Sequence, residues 1–482
     1  MEAYSPDYFE QGEQEQKKKI LPLIKIILVF TLFTLLLTCI FLIVSVSTLV
    51  HTESSRPLLD YEEMEFNKTM EEKYPEKFMA ATPLPYSIIP ANLYINAKSA
   101  VILDAESGNI LFEKNGDMEI PPASMTKLVE MYVVFEAVKN GEVTLDDIVP
   151  LPPESWAINL PSDASIMFLA QGQSVTLREL LLGLAIASGN DASIAVAKYI
   201  CKDMETFVER MNAVIKNMGL VKTHFVESSG YSEKNITTAK EFAAFCRMYV
   251  KNFPEAINDY HSQKVIKYPL MKNLPKEQKH QGDGQAVIQY NTNKLLGHLE
   301  GCDGLKTGFI YESGYNIALT AEREGRRFIS VTMGGPGRGS VQGNKFRIED
   351  GTTLMEFAFS KFACYKPMEK NRRYTIGLAG STEKTVDLVP ALNEEFSVPF
   401  IAGRTPSEAA ELVQVTVNIP PYIFGEVECG QQYGMLVYSL GDIKLRTIPL
   451  VADRSSRQTG ILGRLWGMIV CKTADALQKG SE

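Results

Sequence analysis

The feature that most constrains the fold of this 482-residue chain is an uncharged apolar run near its start, residues 26–50. At about 1.5 Å of rise per residue, a helix of this length crosses a hydrocarbon layer about 30 Å thick. The lysines that precede the run are Lys17, Lys18, Lys19 and Lys25. Since cytoplasmic flanks are enriched in such cations, the pattern predicts a cytoplasmic tail over 1–25, a transmembrane helix over 26–50 and all later domains outside.

A cleaved signal peptide is the alternative for the same segment. The apolar region of a signal peptide is usually shorter and is followed by a cleavage site of small residues. Residues 26–50 form a longer run with a poor site of that kind. An uncleaved anchor is therefore favoured, and the Glu-rich stretch over 51–89 is predicted to be a juxtamembrane linker.

Composition excludes several classes of function. A net charge of −9 and a pI near 5.4, without a basic stripe, argue against nucleic acid as a partner. The seven cysteines are scattered without Cys-x-x-Cys pairs, so they predict neither a zinc site nor a recognisable disulfide framework. No cofactor or metal is implied. A hydrophobic content of 45% is enough for well-packed cores.

Hydrophobic patterning predicts two folded units after the linker. Residues 90–366 combine separated β-like runs with helical segments, which is typical of an α+β domain. Residues 367–455 alternate short strand-like runs with Gly and Pro turns and predict a small β-rich domain. The end, 456–482, predicts an amphipathic helix. This helix would lie on a membrane surface or pack on the β-rich domain, with a slight preference for the membrane.

A serine and a lysine one helical turn apart, Ser124-x-x-Lys127, are the first candidate for chemistry. Their spacing places a hydroxyl and an amine on one helix face, and burial can lower the pKa of the amine until it accepts a proton. The pattern is common by chance, and Ser381-x-x-Lys384 repeats it. It gains weight from two motifs that follow in order, Ser188-x-Asn190 and Lys306-Thr307-Gly308. The triplet Ser107-Gly108-Asn109 precedes the first motif and is predicted to be a hairpin turn.

These three motifs in this order resemble the signatures of penicillin-recognising serine enzymes. The flanking blocks "PPASMTKLVEMYVVFEA", "LLLGLAIASGNDASIAVAKYI" and "EGCDGLKTGFIYESGYNIALTA" resemble the low-molecular-mass penicillin-binding proteins that are D-Ala-D-Ala carboxypeptidases. The resemblance covers most of residues 90–470. It implies a serine β-lactamase/DD-peptidase-like domain, in which an antiparallel sheet packs with a helical cluster, followed by the small β-rich domain.

The resemblance also implies a role for each motif residue. Ser124 would attack the carbonyl between the two terminal D-alanines of a peptidoglycan stem peptide, Lys127 would be the general base, and Ser188 would pass protons. The substrate-binding set would be Asn190 on a backbone amide, Lys306 and Thr307 on the terminal carboxylate, Gly308 where the substrate backbone approaches closely, and Phe309. The backbone N–H groups of Ser124 and Phe309 would form the oxyanion hole. β-Lactams would be covalent inhibitors.

Other activities stay open beside this one. A D,D-endopeptidase acting on peptidoglycan crosslinks would use the same residues. A class A β-lactamase adds a Glu-x-x-Leu-Asn element between the second and third motifs, and 191–305 contain none. The intact motifs argue against a catalytically silent envelope receptor. The chain has neither the Gly-x-Ser-x-Gly nor the His-Glu-x-x-His element of other hydrolases. The predicted location is the bacterial cytoplasmic membrane, single-pass, with the catalytic domain on the extracytoplasmic side.

Overall fold

The computed structural model describes residues 7–52, 54–401 and 403–479, with side chains except over 7–20 and 281–285. The α-helices in chain order are α1 (Asp7–Val50), α2 (Asp60–Lys73), α3 (Lys127–Lys139), α4 (Leu177–Leu182), α5 (Asn190–Cys201), α6 (Met204–Asn217), α7 (Ala239–Asn252), α8 (Gly339–Lys361), α9 (Pro406–Glu411) and α10 (Ile461–Lys479).

The first group of strands, in chain order, is β1 (Thr82–Pro83), β2 (Ser99–Asp104), β3 (Asn109–Lys114), β4 (Glu119–Ile120), β5 (Thr237–Thr238), β6 (Val265–Tyr268), β7 (Val287–Tyr290), β8 (Cys302–Ile310), β9 (Gly314–Arg323), β10 (Arg326–Gly335) and β11 (Phe362–Tyr365). The second group is β12 (Tyr374–Ala379), β13 (Thr385–Pro390), β14 (Phe396–Pro399), β15 (Gln414–Asn418), β16 (Tyr422–Phe424), β17 (Gln432–Leu440) and β18 (Ile443–Ala452).

The main sheet of the first unit has the order β1-β3-β2-β10-β9-β8, and its pairs are antiparallel except β1 with β3. Successive side chains of β2 point to opposite faces of the sheet, as the period of two in a strand requires, and each face packs against its own hydrophobic core. Val101 and Leu103 pack with the helices that follow β4, whereas Ala100 and Ile102 pack with α8. The sheet therefore lies between α8 and a helical cluster, which confirms the predicted α+β class.

The helical cluster is interrupted at the second motif. Helix α4 ends at Leu182, a π-helical turn covers Gly183–Ala187, and α5 begins at Asn190. Between them Ser188 has φ 59° and cannot continue a helix. This left-handed residue turns the chain so that the second motif points away from the cluster's apolar core. Helix α3 is in turn preceded by a 3-10 turn, Ala123–Thr126.

The second unit is a β-rich domain whose larger sheet has the order β15-β17-β18-β13-β12-β16. Its core is made by inward-facing side chains of several strands, among them Val386, Leu388, Leu436 and Leu450. Strand β14 pairs with β11 and so connects this domain to the end of α8. The β-rich domain predicted after the catalytic unit is confirmed.

The juxtamembrane segment does not stand apart from the domains as a spacer. Met70 of α2 is 1% exposed and packs with Val389, Ala391 and Val451 of the β-rich domain. The segment continues into β1, which pairs with β3, so the main sheet begins before residue 90. Phe66 and Tyr74 pack on the same cluster as Met70, but this spacing of four is a narrow stripe in a Glu-rich stretch, and the sequence analysis did not predict the packing from it.

Helix α1 carries the apolar run and continues beyond it towards the N-terminus. It begins at Asp7, so it includes most of the predicted tail, while residues 1–6 lie outside the described part. Apolar side chains are exposed along it from Leu21 to Val44. Its C-terminal end packs with α10 through Val46, Leu49 and Val470.

The terminal helix both packs and exposes apolar side chains. The ring of Trp466 lies 5.1 Å from that of Phe41 in α1, and Ala474 packs with Ala379 of β12. In the first turn of α10, Ile461 and Leu462 remain exposed. The helix therefore packs on the β-rich domain through one face, and contact with a membrane stays a prediction for its exposed side chains.

Candidate active site

The first motif lies where the 3-10 turn passes into α3. Ser124 is half-buried, and Ala123 before it has φ 51°, a left-handed conformation that an alanine adopts only under constraint. Lys127 is the first residue of α3 and is fully buried. Its Nζ lies 3.3 Å from Ser124 Oγ. The predicted serine and lysine therefore meet across one turn.

The surroundings of Lys127 suit a neutral amine. Its Nζ donates to Asn190 Oδ1 at 2.8 Å and to the carbonyl oxygen of Ser229 at 2.6 Å. These acceptors take both N–H bonds of an unprotonated amine, so its lone pair can face the Ser124 hydroxyl. Burial lowers the pKa of Lys127 to about 8, against the opposing charges of nearby carboxyl groups. A fraction of the molecules therefore holds a neutral amine at neutral pH.

The second motif lies at the N-terminus of α5, on the other side of Lys127. Ser188 is buried and lines the same cleft as Ser124. Asp191, which the sequence analysis did not single out, accepts the backbone N–H groups of Met167 and Leu169. It fixes the chain segment beside Ser188, and no motif announces this role because its partners are more than 20 residues away.

The third motif lies on β8, the edge strand of the main sheet. Lys306 is 1% exposed, and its Nζ donates to the Thr307 carbonyl at 3.1 Å. Burial lowers the pKa of Lys306 well below its usual value, and the cations Lys127 and Arg347 lower it further. Thr307 Oγ1 donates to Thr292 Oγ1 at 2.7 Å. A second amine of depressed basicity thus lies beside the first.

The structure gives a reason for glycine at 308 other than the close approach of substrate that the sequence suggested. A Cβ at this position would collide with the carbonyl oxygen of Pro122 and lie 3.1 Å from the backbone nitrogen of Ser124. Strand β8 therefore passes directly against the turn that carries the serine. This approach also brings the next peptide, that of Phe309, close to Ser124.

Aromatic side chains form the rim of the site. Phe309 is 40% exposed, and its ring lies 4.4 Å from that of Tyr315 and 5.4 Å from that of Tyr311. The cleft behind this rim has a volume of about 940 Å³ and includes Ser124, Ser188 and Thr307 in its lining. The structure thus brings residues of all three motifs to one cleft.

Arg347 of α8 is a further side chain in the cleft that the sequence analysis missed. Its guanidinium donates to the Gly308 carbonyl and, at 2.9 Å, to Asn344 Oδ1, and it lies 4.9 Å from the ring centre of Tyr315. Burial lowers the pKa of Arg347 to about 10, which leaves the group charged at neutral pH. No local pattern could have found it, because α8 reaches the cleft only through the packing of the domain.

The two decoy motifs lie outside the cleft. Ser381 follows β12 in the β-rich domain and donates to the Gly425 carbonyl. Ser107-Gly108-Asn109 turns the chain between β2 and β3. Within the described residues, no three His, Cys, Asp or Glu side chains are grouped as a metal site would need.

The comparisons with known proteins agree with this geometry. The sequence pattern of the D-alanyl-D-alanine carboxypeptidases, peptidase family S11, matches residues 87–337. D-alanyl-D-alanine carboxypeptidase DacF of Bacillus subtilis is 28% identical over 373 residues, which cover 76% of this chain and 87% of that protein.

Solved structures extend the likeness to both domains. Penicillin-binding protein 5 of Haemophilus influenzae superimposes with a TM-score of 0.64 at 26% identity, over 77% of this chain and 100% of that one. The D-alanyl-D-alanine carboxypeptidase DacD of Francisella tularensis gives a TM-score of 0.61 at 27% identity, over 77% and 96%. Since the family pattern matches just over half of the chain, this chain belongs to the D-alanyl-D-alanine carboxypeptidase family of serine peptidases.

Proposed function

We propose that this enzyme removes the terminal D-alanine from uncrosslinked peptidoglycan stem peptides through an acyl-enzyme on Ser124. The observation that carries the proposal is the fully buried amine of Lys127, 3.3 Å from Ser124 Oγ, with its remaining hydrogen bonds directed to two carbonyl oxygens. An amine held in this way accepts the hydroxyl proton as the oxygen becomes a nucleophile.

In the first step, Ser124 Oγ forms a bond to the carbonyl carbon of the penultimate D-alanine, and Lys127 takes the hydroxyl proton. The carbonyl oxygen becomes an oxyanion, received by the backbone N–H groups of Ser124 and Phe309. The close approach of Gly308 to the Ser124 turn supports this placement, because Phe309 directly follows Gly308 in the chain. A donor of this kind is worth about 3 kcal/mol in the transition state.

In the second step, the C–N bond of the tetrahedral intermediate breaks and the terminal D-alanine leaves as an amine. The proton that Lys127 took returns to this leaving nitrogen by way of Ser188, which lines the same cleft. Water then hydrolyses the ester on Ser124, which releases the shortened peptide and restores the hydroxyl. A β-lactam enters the same first step, and its opened ring stays attached to the serine.

Substrate binding falls to the β8 side of the cleft. Lys306 and Thr307 hold the terminal carboxylate, and the charge of Arg347 adds to the positive potential there. Asn190 has a first task that the sequence did not suggest, since its Oδ1 accepts from Lys127. Its amide nitrogen remains for a carbonyl of the substrate backbone. In this way one side chain both orients the base and meets the substrate.

We also propose that α1 is an uncleaved anchor, with the N-terminus in the cytoplasm and both domains outside. The exposed apolar side chains from Leu21 to Val44, and the packing of α10 on the end of α1, support this arrangement. Protease added to the outside of spheroplasts should then degrade the domains and leave a membrane fragment that contains residues 7–50. If the protease instead removed the tail and left the domains intact, the topology would be the opposite one.

The test of the activity is release of D-alanine from a synthetic pentapeptide ending in D-Ala-D-Ala. The full chain in detergent is the appropriate material, because a fragment beginning near residue 85 would lack Met70 and its contacts with the β-rich domain. Ser124→Ala should abolish release, while Ser381→Ala, in the decoy Ser-x-x-Lys motif, should leave it unchanged.

A crosslinked dimeric peptide is assayed in parallel. If the folded wild-type chain reacts with penicillin but cleaves only the crosslinked peptide, the endopeptidase replaces the carboxypeptidase. If it neither reacts with penicillin nor cleaves either peptide, the chain is a silent receptor.

A further inference from the structure

Glu130 is a buried carboxyl group that the mechanism above does not use. It lies on α3 one helical turn after Lys127, and no part of its side chain is exposed. Neither of its oxygens has a hydrogen-bond partner within the described residues. A buried carboxylate without partners is strongly disfavoured, so a glutamate at position 130 is not explained by stability.

The spacing of three residues places Glu130 on the face of α3 that carries Lys127. From the packed helix α5, the hydroxyl of Ser193 lies beside Glu130 and 2.7 Å from Ser228 Oγ, and its effect on the pKa of Glu130 is to lower it, against the larger effect of burial. Glu130 is therefore next to the catalytic amine in a dry environment, where a charge on one group acts strongly on the other.

The other charged groups that face Lys127 are fixed by hydrogen bonds. Glu227 accepts the backbone N–H groups of Ser229 and Gly230, each at 2.7 Å, and Asp191 is held by backbone N–H groups at the start of α5. Hydrogen bonds from backbone N–H groups favour the charged form of a carboxylate. Of Glu227, Asp191 and Glu130, only Glu130 accepts no backbone N–H group of the described residues. Lys306 is a nearby cation whose charge acts on Lys127 when it is protonated.

Burial acts on the two neighbours in opposite directions. It raises the pKa of Glu130 and lowers the pKa of Lys127, and the charge of each group opposes the shift of the other. Because the protonation state of each group changes the proton affinity of its neighbour, the pair titrates as a unit.

We propose that Glu130 is a positioning residue that sets the proton affinity of Lys127 and thereby moves acylation of Ser124 towards alkaline pH. The inference rests on the proposed function only in taking Lys127 as the base. When both groups are protonated, Lys127 cannot accept the serine proton. When the pair has lost one proton, part of the molecules have a negative Glu130 and a protonated Lys127. In these molecules the negative charge holds the remaining proton on Lys127. A neutral side chain at 130 removes this retention, so Lys127 becomes a free base at lower pH.

The test is the rate constant for acylation by a fluorescent penicillin, measured from pH 5 to 10 on the full chain in detergent. Glu130→Gln should move the acidic limb of the profile to lower pH by about one unit, the size expected for loss of one nearby charge. The matched control is Glu136→Gln, since Glu136 lies on the same helix but is partly exposed and faces Arg210. The control should keep the wild-type limb.

A second uncharged variant, Glu130→Met, guards against failure of the first to fold, because apolar atoms of similar volume replace a buried unpaired charge well. The proposal is overturned if the folded variants show lower rates at every pH with an unchanged limb, which is the result of a merely structural role. Penicillin acylation is independent of the natural substrate. Absence of D-alanine release from the pentapeptide would therefore count against the proposed function and not against this role of Glu130.

Discussion

The same three residues, Ser-Gly-Asn, occur twice in this chain with different structures and different tasks. In Ser107-Gly108-Asn109 the glycine has φ 78° and turns a hairpin, whereas in Ser188-Gly189-Asn190 the serine has φ 59° and interrupts a helix. The first asparagine accepts the backbone N–H of Ser397 at 2.8 Å, and the second accepts Lys127 Nζ at 2.8 Å.

The first triplet is a joint between the two domains. Ser397 belongs to β14, and its hydroxyl lies 3.1 Å from Ser107 Oγ and donates to the buried Asp104 at 3.0 Å. In the second triplet, Ser188 instead lines the catalytic cleft. The residue types of a motif determine which hydrogen bonds it can form. The partners that tertiary packing places beside it determine whether its role is structural or catalytic.

The largest expected difference between the triplets is in activity. Asn190→Ala removes an oxygen that orients Lys127, and we expect penicillin acylation to fall by about 10²- to 10³-fold, as for other oriented polar groups in active sites. The matched variant Asn109→Ala should react at the wild-type rate. A comparable loss of acylation in both folded variants would break the comparison.

The next difference is in stability. Gly108→Ala places a Cβ at φ 78°, 2.8 Å from the Ala80 carbonyl oxygen and 2.9 Å from Arg247 Nη1. We expect the free energy of unfolding to fall by about 2 kcal/mol, because strain and overlap add. Thermal unfolding of the variant and the wild type, with and without bound penicillin, would measure this loss of stability. The acylation rate should stay unchanged, and a variant as stable as the wild type would show that the turn tolerates a side chain.

The smallest effect is expected at the joint between the domains. Ser397→Ala removes the hydroxyl that bonds Asp104 and Ser107, while the backbone bond to Asn109 remains. A single buried hydrogen bond of this kind contributes about 1 kcal/mol. Chemical denaturation should detect the loss, and limited proteolysis should cut between the domains sooner. Unchanged proteolysis would mean that other contacts hold the domains together.

Much of the architecture was predictable because its signals are local. The hairpin of β2 and β3, the α+β unit and the β-rich domain follow from turn residues and hydrophobic periods. The packing of α2 on the β-rich domain was not predicted, since it depends on a narrow stripe around Met70 and on the ion pair of Arg56 with Glu383 at 3.2 Å. The partners of that ion pair are 327 residues apart in sequence, so no local pattern indicates it.

The sequence by itself determined the apolar segment, the order of the three motifs and, through that order, which serine is the candidate nucleophile. Only the tertiary structure decided that Ser229 and Asn190 hold Lys127, that Arg347 reaches the cleft, and that Glu130 is fully buried near Lys127. The physical reason is that spacing along one chain segment fixes which side chains share a face. The proton affinity of a group instead depends on burial and on charges supplied by segments far apart in sequence.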